Sequence, residues 1–266
     1  MNTEQAKQLA DNALNVLIET LEKGQSETLK RYLAAMGRFH NYSFGNCLMI
    51  AAQKPDATHV AGFHAWLRFQ RHVRKGEKGI VILAPMVGKN KTESAELAED
   101  QQSRVFGFRA AHVFDISQTD GEPIAEFAQV QGDPHHFTAK LKAMIGERGI
   151  VLDYSEKIAP AKGMASTTGI TLLPGMDAAE EFAVLVHEFA HRLLHFGERR
   201  ASTSKTIRET EAEAVAFVVS QAIGLECGTA SADYIVLYAG DKATLSESLG
   251  FIQRTAAEIL AGIEAG

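Results

Sequence analysis

The chain has 266 residues, 45% of them hydrophobic and 23% charged, with a net charge of −6. That length accommodates two domains, and the composition is that of a soluble globular protein rather than a disordered or fibrous one. No apolar run approaches the ~20 residues of a membrane span, and the negative balance excludes nucleic-acid binding by the whole surface, leaving a local basic stripe for any such role. The N-terminus carries an acidic amphipathic helix pattern, not a signal peptide. Cys47 and Cys227 are too few for a disulfide framework or a cysteine-rich zinc site, so a cytoplasmic protein is expected.

Helical periodicity covers residues 4–36, broken at Gly24-Gln25-Ser26 and carried by Leu14, Leu17, Leu21, Leu29, Leu33 and Met36. A capped entry at 41–46 leads into an apolar helix over 47–53, and 55–58 turn the chain toward 59–63. A short amphipathic helix follows over 65–69. Residues 73–79 have the composition of a hairpin turn opening a buried strand at 80–86. The polar stretch 89–103 reads as a long mobile hairpin loop, and 104–115 as the returning strand. Residues 117–136 are rich in Gly, Pro, Asp and Gln without periodicity, which divides the chain into domains 1–125 and 126–266. The second domain reads as a helix over 137–146, a strand at 150–154, a strand pair ending at 170–173, and helices to the end of the chain, among them 233–238 and 245–263. The expected fold class is α+β, in two domains.

The second domain is organised around Val184-Leu185-Val186-His187-Glu188-Phe189-Ala190-His191. Histidines at i and i+4 lie about 40° apart on a helix and can close on one metal ion. Glu188 between them is placed to take and return a proton of a metal-held water. Asp177 is the expected N-cap, with Glu180 as its capping-box partner. Phe182, Leu185, Val186, Phe189 and Leu193 give this helix one core-facing side.

A catalytic metal needs a third protein ligand. Glu209, Glu211 and Glu213 fall close together in a helical run that then turns apolar. A lone carboxylate facing such a core is costly unless a metal neutralises it, which selects Glu213, beside Ala214 and Val215. Glu211 is the alternative. Glu209 shares Glu213's face, as a supporting partner or as an acid favoured at a helix start. His195, four residues after His191, is expected at the surface or as a cap, with a supporting position behind the metal ligands as the alternative. It joins Tyr154 and Tyr238 as candidate oxyanion partners, and the strand near 170–173 is the expected edge for an extended peptide.

Arg68, Arg71, Arg74, Lys75 and Lys78 lie within eleven residues, with Phe39, Tyr42, Phe44, Phe63, Trp66 and Phe69 around them. Rings for bases beside cations for phosphates are what single-stranded nucleic acid requires. Tyr42, Trp66, Arg68, Arg71, Arg74, Lys75 and Lys78 are therefore the DNA-binding candidates. The same residues also read as core aromatics beside a solvated turn.

Tyr42-Ser43-Phe44-Gly45-Asn46, Val60-Ala61-Gly62-Phe63-His64-Ala65-Trp66, Val73-Arg74-Lys75-Gly76-Glu77-Lys78-Gly79-Ile80 and Val113-Phe114-Asp115-Ile116-Ser117-Gln118-Thr119-Asp120-Gly121 resemble the N-terminal domain of plasmid antirestriction proteins of the ArdC type. The H-E-x-x-H half resembles the zincin-like (gluzincin) metallopeptidase domain that follows it in that family. It is also similar to ImmA/IrrE peptidases, whose Glu-Ala-Asn-x-Phe-Ala helix is echoed by Glu213-Ala214-Val215-Ala216-Phe217-Val218, with Val215 departing from the asparagine. The resemblance implies a domain that binds single-stranded DNA and shields incoming plasmid DNA from restriction. It also implies a Zn2+ or Mn2+ site formed by His187, His191 and a downstream glutamate, with Glu188 as general base. A host or regulatory protein would be the peptide substrate, and no membrane is involved. Three classes follow: an antirestriction DNA-binding protein with a working or idle metal site, a regulatory peptidase acting on a DNA-bound protein, and a structural-metal protein. An intact Glu188 weighs against the third.

Overall fold

A computed structural model describes residues 2–23, 27–88, 104–121, 134–159, 161–225 and 241–264. The loop expected at 89–103, the helix expected at 233–238, Tyr238 and Cys227 lie outside the described residues. Contacts divide the chain into two units, Met1–Asn15 with Leu48–Ile124, and Val16–Cys47 with Ala125–Gly266. The chain thus changes unit near residues 15, 47 and 124, where a single change at 125 was expected. No described helix is long and apolar enough to cross a membrane.

Helix α1 (Thr3–Glu22) opens with a reciprocal cap: the Asn2 side chain accepts from the Gln5 N–H, and the Gln5 side chain from the Asn2 N–H. Its stripe of Ala6, Ala13, Leu14, Leu17 and Leu21 is buried. Helices α2 (Glu27–Arg38) and α3 (Phe44–Gln53) follow.

In the first unit, β1 (Val60–Gly62) leads into α4 (Phe63–Arg68), β2 (Arg71–Val73), β3 (Ile80–Gly88), β4 (Arg104–Asp115) and β5 (Thr119–Gly121). β1, β4 and β3 form an antiparallel sheet in that order. Met86 pairs with Gly107 and Val87 with Val105, so Phe106 is an extra residue, a bulge in β4. The Gln53 side chain exchanges two hydrogen bonds with the Val81 backbone and ties α3 to this sheet.

The hairpin expected around 73–79 does not form. β2 pairs instead with β5, and the Arg71 side chain secures the pairing through Thr119 Oγ1 and the carbonyls of Thr119 and Gly121. Gly121 has φ +143, and a Cβ there would lie 2.3 Å from the Gln70 carbonyl, so the close approach of β5 to β2 needs glycine.

Asp115 ends β4 and is almost fully buried. Its carboxylate accepts from the N–H groups of Thr58 (2.7 Å), His59 (3.0 Å) and Ser117 (2.9 Å). Burial alone would raise its pKa, but these bonds outweigh it and hold the group below 3.8. A depressed carboxyl contributes stability that is present above its unfolded pKa and lost as pH falls through the folded value. Asp115→Ala, which strands these donors, is expected to lose about 2–4 kcal/mol in urea unfolding at pH 7. That difference should shrink when both proteins are unfolded below pH 3.8.

In the second unit α5 (His135–Glu147) precedes β6 (Val151–Tyr154), β7 (Gly163–Ala165) and β8 (Gly169–Leu172). Then come α6 (Ala178–Leu194), α7 (Arg199–Ser202), α8 (Lys205–Ala222) and α9 (Lys242–Glu264). The sheet order is β6-β8-β7, with β8 parallel to β6 and antiparallel to β7. β8, the expected peptide-docking edge, is paired on both sides, and the edges are β6 and β7. The core of α6 and α8 is Phe182, Leu185, Val186, Phe189, Val215, Val218 and Val219, all fully buried. α2 packs on α8 so closely that a Cβ on Gly37 would lie 2.8 Å from the Val218 carbonyl oxygen.

Candidate metal centre

α6 begins as expected at Asp177, whose side chain accepts from the Glu180 N–H at 2.8 Å. The Glu180 side chain does not close the capping box and pairs instead with Lys162. From there the helix runs unbroken through His187, Glu188 and His191.

α8 crosses α6 and presents Glu209 and Glu213, one turn apart on one face. The Nε2 atoms of His187 and His191 lie 3.1 Å apart, and Glu209 Oε2 lies 3.6 Å from the first and 3.4 Å from the second. These three groups form the possible metal-holding cluster among the described residues. Metal–ligand bonds of about 2.1 Å at tetrahedral angles separate ligand atoms by about 3.4 Å, so the set fits one ion with little rearrangement. Glu213, the expected third ligand, lies on the other edge of the ring, with Oε2 3.3 Å from His187 Nδ1. That is the position of a carboxylate that orients a ligating histidine. Glu211 stands two residues from each, about 200° around the helix. It is fully buried away from the histidine pair, bound by His195, Arg199 and Ser248.

The electrostatics fit a cation. Burial works against charge on His187, but hydrogen bonds to Glu209 and Glu213 and the charge of Glu188 push its pKa up to about 9. Burial, then the His187 charge, lowers His191 to about 4, which leaves its imidazole neutral as ligation requires. The hydrogen bond to His187 leads the lowering of Glu209 to about 2. The field that favours a proton on His187 equally favours a metal ion between the rings.

Glu188 is buried, and burial raises its pKa. The Ala165 backbone in β7 hydrogen-bonds its carboxylate. A Cβ at Gly163 would lie 2.7 Å from Glu188 Cγ and Oε1, so β7 passes over Glu188 only because Gly163 has no side chain. Of the proposed oxyanion partners, Tyr154 donates to Glu181, six residues before His187. His195 is neither exposed nor simply a cap: it is 1% exposed, with Nδ1 3.0 Å from His191 Nδ1.

The DNA-binding candidates divide. Trp66 is core, its Nε1–H donating to the Phe114 carbonyl at 2.9 Å, and Arg71 is the buried clasp between β2 and β5. Neither presents a surface. Arg74 is paired with Glu77 and Asp120. Tyr42 is half-buried, while Arg68, Lys75 and Lys78 are exposed. Phe106 and Phe108 in β4, 68% and 53% exposed, were not singled out from the sequence, and Phe63 and Phe69 are exposed as well. Phenylalanines in a strand read as core, and only the bulge and the sheet register reveal otherwise.

Residues 7–114 match the family model of the N-terminal domain of anti-restriction factor ArdC. An uncharacterized Bacillus anthracis protein, pXO2-81, is 23% identical over 275 aligned residues, which take in 87% of this chain and 46% of that protein. The chain thus spans about half the length of that curated relative. The crystal structure of antirestriction protein ArdC from plasmid R388, metal-free, superposes with a TM-score of 0.53 at 19% identity, covering 96% of this chain and 97% of that one. The Mn(II)-bound crystal structure of the same protein gives 0.53 at 20% identity over 97% and 98%. Residues 7–114 are thus similar to the N-terminal domain of anti-restriction factor ArdC, and the fold of R388 ArdC is shared along nearly the whole chain.

Proposed function

We propose that this chain is an antirestriction protein that binds single-stranded DNA through its first unit and carries a divalent-metal peptidase centre in its second. The observation that carries the reading is the convergence of His187 Nε2, His191 Nε2 and Glu209 Oε2 beside a buried Glu188. Two imidazoles and a carboxylate suit Zn2+ and also Mn2+, the ion in the crystal structure of R388 ArdC. A bound ion of this kind supplies Lewis acidity, polarising a carbonyl and acidifying water. Glu188 takes a proton from that water at a carboxylate oxygen and returns it to the leaving amine. The Ala165 backbone orients the carboxylate, and Glu213 holds the His187 ring from Nδ1. β7, the sheet edge beside Glu188, is the rail on which an extended peptide adds as a strand. A cytoplasmic host or regulatory protein is the corresponding substrate.

For DNA, the first unit offers exposed Arg68, Lys75 and Lys78 for phosphates and exposed Phe63, Phe69, Phe106 and Phe108 for bases. Single-stranded oligonucleotides titrated over a range of salt test this in the full chain. Replacing Arg68, Lys75 and Lys78 together by alanine should flatten the slope of log K against log salt by about 2. Phe106→Ala should weaken binding by about 1–3 kcal/mol and leave that slope unchanged. Equal affinity of the wild type and both variants overturns the DNA assignment.

A further inference from the structure

His191 backs onto a chain of buried polar groups that the hydrolytic reading leaves unused. Its Nδ1 lies 3.0 Å from His195 Nδ1, and His195 Nε2 lies 2.9 Å from Glu211 Oε2. His195 and Glu211 are 1% and 0% exposed. Glu211 Oε1 accepts from the Ser248 hydroxyl of α9 at 2.6 Å and from the Arg199 guanidinium at 2.5 Å. Arg199 is itself held over the Phe251 ring of α9, 3.7 Å from its centroid.

Proton counting gives this chain a direction. A neutral imidazole has one donor nitrogen and one acceptor. Two Nδ1 atoms in contact therefore share a single proton, carried by one ring or the other. If a neutral His195 carries it, His195 Nε2 is bare and faces a buried carboxylate, setting acceptor against acceptor at 2.9 Å. Protonating Glu211 would relieve that clash, but Arg199 and Ser248 already donate to it and favour the anion. A doubly protonated His195 would donate at both contacts, but then His191 must keep its own proton on Nε2, where it excludes a metal. If His191 carries the proton, each contact has one donor and one acceptor. His191 Nδ1–H then donates to His195 Nδ1, and His195 Nε2–H donates to Glu211. The same arrangement strips the proton from His191 Nε2, the atom that faces His187 and Glu209.

We infer that His195 and Glu211 are positioning residues: a buried relay that fixes the Nδ1–H tautomer of His191 and so presents its Nε2 lone pair to the metal. The inference rests on the proposed metal set. A relay of this kind explains a buried charged cluster that packing alone does not require, since apolar residues of similar volume usually fill such a space at no loss of stability.

The test combines imidazole 1H–15N NMR of the metal-free full chain with Zn2+ affinity measured by chelator competition. The wild type should show Nδ1–H on His191 and Nε2–H on His195. His195→Phe removes the acceptor and should weaken Zn2+ binding by about 10–100-fold. His195→Asn, whose Oδ1 can stand where Nδ1 stood, should recover most of that loss. Equal losses in both variants mark a packing role and overturn the relay, as does Zn2+ binding by His195→Phe at wild-type strength. If His195→Phe fails to fold, the tautomer in the wild type decides, and Nε2–H on His191 overturns the inference. A wild type that binds no Zn2+ fails differently: it removes the metal centre itself, and the relay's role with it.

Discussion

His187→Ala and His191→Ala should each leave a protein that purifies without metal. With three protein ligands, each supplies about 3 kcal/mol of the binding free energy, or roughly a hundredfold in affinity. Glu209→Gln should lose as much, because Oε2 of that residue completes the triangle with both Nε2 atoms. Glu213→Gln should lose less, about 10–100-fold, since it acts through the His187 ring. Glu188→Gln keeps the ion and lowers peptide cleavage by about 10²–10⁴-fold, the range expected for removal of a general base. Metal content by mass spectrometry, with Zn2+ affinity by competition, checks the series. A Glu213→Gln protein without metal beside a Glu209→Gln protein with metal would reverse the ligand assignment.

The largest loss of stability is expected at Glu211. Alanine there leaves the buried His195 and the largely covered Arg199 opposite an empty space. Breaking a buried ion pair from one side costs about 3–5 kcal/mol. In a chain of this size that lowers Tm by about 6–20 °C. Burial alone would raise the Glu211 pKa, but bonds from His195, Arg199 and Ser248 outweigh it and hold the group below 4.5. Its contribution is therefore present above that pH and fades as pH falls through the folded value. Glu213→Gln, half-exposed on the opposite face of α8, should melt within about 2 °C of the wild type. Calorimetry at pH 7 separates the two, and a Glu211→Ala protein that melts beside the wild type would refute the buried-cluster account.

α6 was legible from its sequence because every local signal agreed: the Asp177 cap, the apolar stripe and the paired histidines all describe one helix. α8 was legible as a helix, but which of its glutamates comes nearest the paired Nε2 atoms was not. Glu209 and Glu213 share a face, so periodicity cannot choose between them; the height at which α8 crosses the histidine pair chooses. The apolar neighbours of Glu213 were a poor guide, because burial at Ala214 and Val215 lies about 100° and 200° around the helix. Strand partners were hidden for a similar reason. Residues 73–79 have turn composition, yet β2 finds β5 some fifty residues away through Arg71, a contact with no local signature. Trp66 and Arg71 stood in a cationic, aromatic stretch that looked like a surface, and both turned inward because each had a buried partner supplied by 114–121.

The packing of α2 against α8 also sets the order of events during synthesis. Gly37 and Val218 are in near-contact but about 180 residues apart in sequence. At ribosomal rates of about 5–20 residues per second, α2 leaves the exit tunnel some 10–40 s before its partner exists. Through that interval the side of α2 that packs on α8 has no native surface to cover it. The first unit, whose strands all lie between residues 60 and 121, can form its pairings while α2 waits. The second unit, and with it the candidate metal centre, closes only after α8 has been made. Any peptidase activity of the centre is therefore confined by topology to chains in which α8 has already been made.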